Sequence, residues 1–378
     1  MKQMCGLMKS LLVLTLIALL PLVASAQWVS EGSLSTTFES NVLRNYEPYR
    51  DRITEGALYF AHQWDFPAAT GLLSYRLNSL IFNDLTDHNY NIHTLGINGE
   101  HKFADGGWLK GGLQAAKRED REAYNTFDYS EFEGFIDSRI PCKDNLTAVT
   151  GYTLRKRLYR VATELDNWEH LMYGGVTVAF SDGTTVSMLS EVGYKKYLLP
   201  VFSASGSGKS GGDAAEVGQW ANTLRVSRPL LDNLGLMVYG RGRVNFGDQE
   251  VYFSGLSPRY FSENDLYDDR YGYESRECGG MLSCRLPHAL VLRIGYDYAD
   301  KSYLQMPLDL DGNVILSEGA RHDTISGMWG RAEKRFSFSG KKRQLNLYGE
   351  YKWLRNSSND PSYRYGASAT SIGVAVIF

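Results

Sequence analysis

The sequence predicts an all-β protein: a single transmembrane, antiparallel, up-and-down β-barrel of about 16 strands. Three observations lead there. Apolar and polar residues alternate with period two from Trp28 to the end of the chain, and no segment shows a convincing helical period. The connections between alternating segments are short on one side and long on the other. An apolar leader at the start marks the chain for export.

The leader comes first in the chain. Lys2 and Lys9 supply a charged segment, residues 10–20 an apolar one, Pro21 breaks it, and Ala24-Ser25-Ala26 fits the small-x-small cleavage pattern. Cleavage after Ala26 leaves Gln27 as the first residue and 352 of the 378 residues in the mature chain. The expected organisation is therefore a leader over 1–26 and one barrel over 27–378. Cys5 sits among the first charges, not at the cleavage junction, so it does not read as a lipid-attachment site.

Composition narrows the class further. A chain with 22% charged and 43% hydrophobic residues is neither disordered nor a bundle of membrane helices. Forty basic residues against 43 acidic ones give a net charge of −3, which becomes −5 once Lys2 and Lys9 are removed. No basic excess is left for a nucleic-acid partner. Twenty-five Tyr and 38 Gly beside only 10 Pro suggest many strands, close backbone approaches and aromatic belts. Cys142, Cys278 and Cys284 remain, an odd number that argues against a disulfide framework. Cys278 and Cys284 would stand roughly 20 Å apart on one strand, too far to bridge. No Cys/His spacing fits zinc.

The expected strands are 28–38, 55–66, 71–82, 89–102, 107–118, 126–138, 145–157, 168–181, 184–197, 216–228, 233–246, 274–286, 289–301, 322–336, 342–355 and 366–378. The alternation is clearest in 233–246, where Leu234, Leu236, Val238 and Val244 oppose Tyr239, Arg241, Arg243 and Asn245. It recurs in 289–300 and 343–355. Short turns fall at 67–69, 104–106, 141–144, 182–183, 229–232, 287–288 and 337–341. Longer connections fall at 41–54, 197–216, 247–273, 302–321 and 356–365. A soluble sandwich would have turns of similar length at both ends; a membrane barrel has this asymmetry. The count becomes 14 if 89–102 and 126–138 are not strands. With an even number, both termini lie at the short-turn end, which places them in the periplasm.

The last segment places Ile372, Val374, Val376 and Phe378 on one face. It resembles the terminal strand of Gram-negative outer-membrane barrels, whose final residue is typically aromatic and is read during assembly. That resemblance, porin-like in architecture, implies an outer-membrane location. It also implies contact with membrane lipid and lipopolysaccharide, and recognition by the barrel-assembly machinery. Phe38-Glu39-Ser40-Asn41-Val42 is similar to a motif on an early strand of some outer-membrane barrels, including surface-lipoprotein assembly modifiers. Neither a periplasmic repeat domain nor a TonB-type plug is expected.

Candidate chemistry is sparse. Asp87-His88 and His322-Asp323 fall near the long-connection end, where omptin-type proteases place paired groups, and a His beside a carboxylate can activate water. Such barrels have fewer strands, and no enzyme is expected. Asp309-Leu310-Asp311-Gly312-Asn313 fails the calcium-loop spacing and reads as a hairpin turn. Residues 263–270 and 118–122 read as solvated, mixed-charge loops, the second as a loop tip. Gly208-Lys209-Ser210 lacks the first glycine and the strand-to-helix setting of a phosphate loop. No cofactor or metal is expected.

Barrels of about 16 to 18 strands enclose an aqueous lumen. On the clearest strands the polar face carries Arg76, Arg155, Arg157, Lys195, Arg225, Arg241, Arg243, Arg285, Arg293 and Lys352, against Glu191, Glu277, Asp297 and Glu350. Ten cations over four carboxylates predict a passive channel for small hydrophilic solutes with a weak preference for anions. The alternative is a non-conducting structural or adhesive surface barrel. The connection from Gly247 to Tyr273, rich in Tyr and Phe, either folds inward as a constriction or projects as a binding surface.

Overall fold

The computed structural model describes residues 25–377 apart from 105, 200–215, 248–269, 305, 308, 310–313, 316–318 and 339–342. Sixteen strands close on themselves, each hydrogen-bonded only to its neighbours in sequence and β1 to β16. They are β1 (Ser25–Glu39), β2 (Asp51–Asp65), β3 (Ala69–Phe82), β4 (Tyr90–Lys102), β5 (Trp108–Asp120), β6 (Tyr129–Lys143), β7 (Leu146–Tyr159) and β8 (Asn167–Ala179). Then follow β9 (Thr185–Tyr197), β10 (Glu216–Leu231), β11 (Leu234–Gly247), β12 (Tyr273–Leu286), β13 (Leu290–Tyr303), β14 (His322–Phe338), β15 (Arg343–Ser358) and β16 (Tyr365–Ile377). Every expected strand is present, 89–102 and 126–138 included. All pairings are antiparallel, and β1 closes on β16 from Glu31↔Ile377 to Glu39↔Ala369. The leader to residue 24, Phe378 and Gly208-Lys209-Ser210 lie outside the described residues, as do residues 263–269 and most of the 309–313 turn.

One parity of each strand faces outward and carries the aliphatics. Leu34, Leu58, Leu73, Leu95, Leu113, Phe132, Met172, Leu224, Ile294 and Ile372 are all exposed, an arrangement stable only against lipid. The other parity is polar and lines the lumen. Strands of 13 to 17 residues exceed the 9 to 11 that cross a bilayer, so the wall rises beyond the apolar band. Pro141 and Pro229 both sit at register shifts near the short-turn end, where a missing N–H leaves no ladder bond unmade.

The abundance of Tyr and Gly has a packing cause. A Cβ on Gly151, Gly279, Gly295 or Gly373 would strike the ring of Tyr173, Tyr239, Trp329 or Tyr348 on a neighbouring strand. Each ring lies flat across a glycine, which lets a bulky side chain hug the wall.

Buried side chains collect at the long-connection end. Phe82, Phe127, Tyr159, Leu165, Tyr197, Tyr273 and Tyr303 pack there with buried Asn41, Asp51, Arg118, Asn167, Gln219 and Arg321. Three connections share one design. Asn89, Asp128 and Asp166, each the residue before a strand, accept the backbone N–H of Phe82 (2.6 Å), Asp120 (2.7 Å) and Tyr159 (2.6 Å). Their own carbonyls accept from Arg121, Arg160 and Leu198 of the following connection, stitching neighbours together around the rim.

Candidate functional site: the lumenal wall

All ten expected basic residues fall on the lumenal parity. Arg76 lies over the Tyr59 ring (5.1 Å). Arg155 reaches Glu133 (2.7 Å) and Glu169 (2.9 Å), and Arg157 pairs with Glu131 (2.7 Å) under the Tyr129 ring. Lys195 stands over Tyr197 (5.3 Å). Arg241 donates to the Thr223 hydroxyl (2.8 Å), and Arg243 donates to the Tyr273 hydroxyl (2.8 Å) beside Glu277 (3.1 Å). Arg293 approaches Glu333 (3.3 Å) and Lys352 approaches Glu350 (2.6 Å). Arg225 and Arg285 face Tyr239 and Val291 in register. Of the outward terminal set, Ile372, Val374 and Val376 share the parity of exposed Leu34 and Leu347 across the ladder.

The excess of ten over four does not hold for the whole lumen. Glu31, Glu39, Glu55, Glu100, Glu131, Glu133, Asp137, Glu169 and Glu333 have the same parity, beside Lys110, Lys301 and Arg331, and cancel it. The first count took only strands of clear alternation, and β6 places its carboxylates between Phe132, Gly134 and Ile136. What differs is depth. The side chains of Glu39, Glu350 and Glu333 are 13%, 13% and 15% exposed, whereas those of Arg44, Lys352 and Arg293 are 41%, 59% and 35% exposed. In these three pairs the carboxylate is sunk against the wall and the cation stands over it, so a solute there meets the cation first; Arg157–Glu131 and Arg243–Glu277 lie at equal depth, and Glu55 is exposed.

A cavity of about 850 Å³ opens on this part of the wall, between Glu39 and Lys301 and across β14 and β15. Arg44 also lines it, from the connection after β1, with a left-handed backbone (φ 48°). A non-glycine residue held there costs of order 1 kcal/mol. Nothing in the sequence around Arg44 signals such a placement. On the same wall Asp297 accepts from the Tyr239 hydroxyl (2.8 Å) and from Trp329 Nε1 (3.0 Å), fixing both rings.

The end of the longest connection is pinned inside the lumen. The Tyr271 hydroxyl donates to Glu169 on β8 (2.8 Å), Asn245 Nδ2 donates to the Tyr271 carbonyl (2.9 Å), and Gln219 donates to the carbonyls of Arg270 and Tyr273. A Cβ on Gly193 would strike this tyrosine. Tyr271 therefore reaches across β11, β10 and β9 from the start of β12. The inward alternative holds for residues 270–273; residues 248–269 lie outside the described residues.

Two readings change. Arg118 and Asp120 are not at a loop tip: both belong to β5, buried and paired at 2.7 Å, with the guanidinium over the Tyr90 ring at 3.9 Å. Arg321 and Asp323 repeat the arrangement, with Ser358 Oγ donating to Asp323 (2.6 Å). Burial alone would lower the Arg321 pKa, but Tyr303 and Asp323 outweigh it and raise it. The sequence neighbours His322 and Asp323 point to opposite sides of the wall. His322 meets Asp300 outside (3.3 Å) and Asp323 is buried inside, so they cannot share one water. Asp87 and His88 form part of a short 3-10 turn, with the His88 ring 4.0 Å from that of Tyr124. Cys142, Cys278 and Cys284 are free.

No protein-family model and no curated protein matches the chain. Among solved structures it is similar to OpdQ of Pseudomonas aeruginosa, at 9% identity and a TM-score of 0.51, over 94% of this chain and 99% of that one. It is also similar to a loop L8 deletion mutant of OmpT, an outer membrane protein of Vibrio cholerae, at 10% identity and a TM-score of 0.49, over 94% and 100%. OccAB1 of Acinetobacter baumannii follows at 8% identity and a TM-score of 0.49, over 94% and 97%. The likeness to OpdQ is one of fold: a closed β-barrel spanning nearly the whole of both chains.

Proposed function

We propose that the chain is an outer-membrane diffusion channel for small hydrophilic solutes, with a weak preference for anions. One observation carries this reading: at Arg44, Arg293 and Lys352, around the lumenal cavity, the cationic heads stand into the lumen over carboxylates sunk in the wall. Opposite charges cancel at a distance, but within a Debye length of about 8 Å at physiological salt the nearer charge governs. Rings of exposed Arg and Lys favour anions. The leader, the outward apolar belt and the terminal strand support export, outer-membrane insertion through the assembly machinery, and periplasmic termini. No enzymatic role is proposed, because His322 and Asp323 face opposite sides of the wall.

A second reading, a barrel closed to ions, is favoured by the Tyr271 anchor, which sets chain against the wall across several strands. Planar-bilayer recording separates the two. A channel gives unitary steps, and a KCl gradient gives a reversal potential of anionic sign. Arg293→Glu with Lys352→Glu should shift that potential toward cations. Absence of steps at any voltage supports the closed barrel; a cation-selective wild type defeats the anion preference.

A further inference from the structure

Two aromatic rings and one carboxylate make a flat strip across four strands of the lumenal wall. Tyr239 reaches from β11 over Gly279 on β12, and Trp329 reaches from β14 over Gly295 on β13. Asp297 on β13 lies between them and holds both by their polar edges, accepting from the Tyr239 hydroxyl at 2.8 Å and from Trp329 Nε1 at 3.0 Å. The ladder fixes this arrangement, since Tyr239 faces Gly279, Gly279 faces Asp297, and Gly295 faces Trp329. One face of each ring is pressed on a glycine. Both rings are half-buried and line the cavity, so their opposite faces are offered to the lumen. The two glycines are one strand and two residues apart, which sets the ring faces roughly 8 Å from each other.

Charge frames the strip on both sides. Toward the short-turn end, Arg293 and Arg331 share Glu333, at 3.3 Å and 3.4 Å. Toward the long-connection end, Arg243 meets Glu277 at 3.1 Å, and Lys301 stands over the Tyr273 ring at 4.0 Å. All of these charged residues line the same cavity. A ligand that fits must have an apolar face and a rim that both donates and accepts hydrogen bonds. We propose that the strip binds a saccharide of two linked pyranose rings, one over Trp329 and one over Tyr239. The proposal rests on the channel reading and adds a solute class to it.

The chemistry of the rim and of the faces selects this ligand. A pyranose turns C–H bonds outward on its faces and carries hydroxyls around its edge. The negative face of an aromatic ring attracts those C–H bonds. Each hydroxyl can accept from an arginine N–H and donate to Glu333 or Glu277. The polar edges of Tyr239 and Trp329 are already engaged by Asp297, so stacking is the contact they have to give. A planar aromatic solute would use the faces but not the framing charges. A small inorganic anion would use the cations but not the faces. The same device occurs away from the cavity, where Tyr173 on β8 lies over Gly151 on β7 and donates its hydroxyl to Asp137 on β6 at 2.7 Å. That copy supplies a control.

The test is block of the ion current in planar bilayers containing the full-length mature protein, with cellobiose as the probe. Sorbitol, hydroxyls without a ring, and nicotinamide, a ring without hydroxyls, are the comparison solutes. Cellobiose should interrupt the unitary current in a concentration-dependent way, and sorbitol at the same concentration should not. Trp329→Leu or Tyr239→Leu should weaken the block roughly tenfold, as expected for one lost stacking contact. Trp329→Phe should keep most of it, and Tyr173→Leu should leave it intact. No block by cellobiose, equal block by sorbitol, stronger block by nicotinamide, undiminished block in both leucine variants, or equal loss in Tyr173→Leu would each overturn the proposal. The comparison of the three solutes on the wild type stands even if a variant does not refold. Wild-type protein that gives no unitary steps at all would remove the channel reading instead. Titration calorimetry on the detergent-solubilised barrel then decides the site, because cellobiose should release heat that sorbitol does not, and equal heats would defeat it.

Discussion

At Gly295 the absence of a side chain makes room for the Trp329 ring, and Asp297 holds that ring by its Nε1. Gly295→Val should expel the indole, cost about 1–3 kcal/mol by overpacking, and change the tryptophan fluorescence of the folded barrel. Arg321 poses the opposite problem. Arg321→Met would strand buried Asp323 without its charge partner, at about 3–5 kcal/mol, and lower the heat-modification midpoint. Neither residue was legible as critical: glycine and tryptophan 34 positions apart meet only through strand register. The buried Arg118–Asp120 pair was misread for a related reason. A charged run looks solvated until its neighbours, here Tyr90 and Phe127, are known.

The connections show what an element can disclose. His88-Asn89-Tyr90 and Phe127-Asp128-Tyr129 share a pattern visible in the sequence, a ring, then Asn or Asp, then an aromatic, whereas after Leu165-Asp166 an extra Asn167 precedes Trp168. Its meaning, a side chain accepting the last N–H of the previous strand, needed the folded chain. Asp128→Ala should loosen the 121–128 connection by about 1 kcal/mol and speed amide exchange at Asp120. Acid dependence separates two turns. Burial pushes the Asp166 carboxyl up, against the Tyr159 N–H, so its folded form favours the proton. Stability there is fullest below the ordinary Asp pKa and falls as pH rises through the raised value. Asp166→Asn, which keeps an acceptor oxygen, should remove that dependence. At Asp182, the Thr184 N–H and hydroxyl hold the pKa down. The contribution of that turn is present above the ordinary pKa and is lost as pH falls through the lowered one. Amide exchange at Thr184, corrected for intrinsic rates, should accelerate on acidification while the 160–166 connection tightens.

For the whole molecule, the strand count was legible because lipid and water impose opposite demands on alternate residues. The ends were less so: β6 begins at Tyr129, since Phe127 packs inward from a 3-10 turn above the apolar band. Charge was the least legible property. A sum over the lumen needs every strand, and depth, which decides what a solute meets, depends on which arginine lies across which glutamate. Closure has its own test. Unboiled protein should migrate apart from boiled protein on a denaturing gel, because a barrel has no edge from which to unravel. Identical mobility would count against it.

That seam also governs the order of events during folding. Thr37 Oγ1 bonds Ser371 Oγ at 2.8 Å, across 334 residues of chain. Most neighbouring strands are joined by a hairpin and can pair as soon as both exist. The first strand alone must wait for the last, and bringing together ends so far apart carries the largest loop-closure entropy in the molecule. Until then β1 and the newest strand are bare edges, open to pairing with other chains. A chain cut short of β16 should therefore accumulate as aggregates, not as a smaller barrel. Light scattering during refolding, with and without residues 365–378, would register the difference.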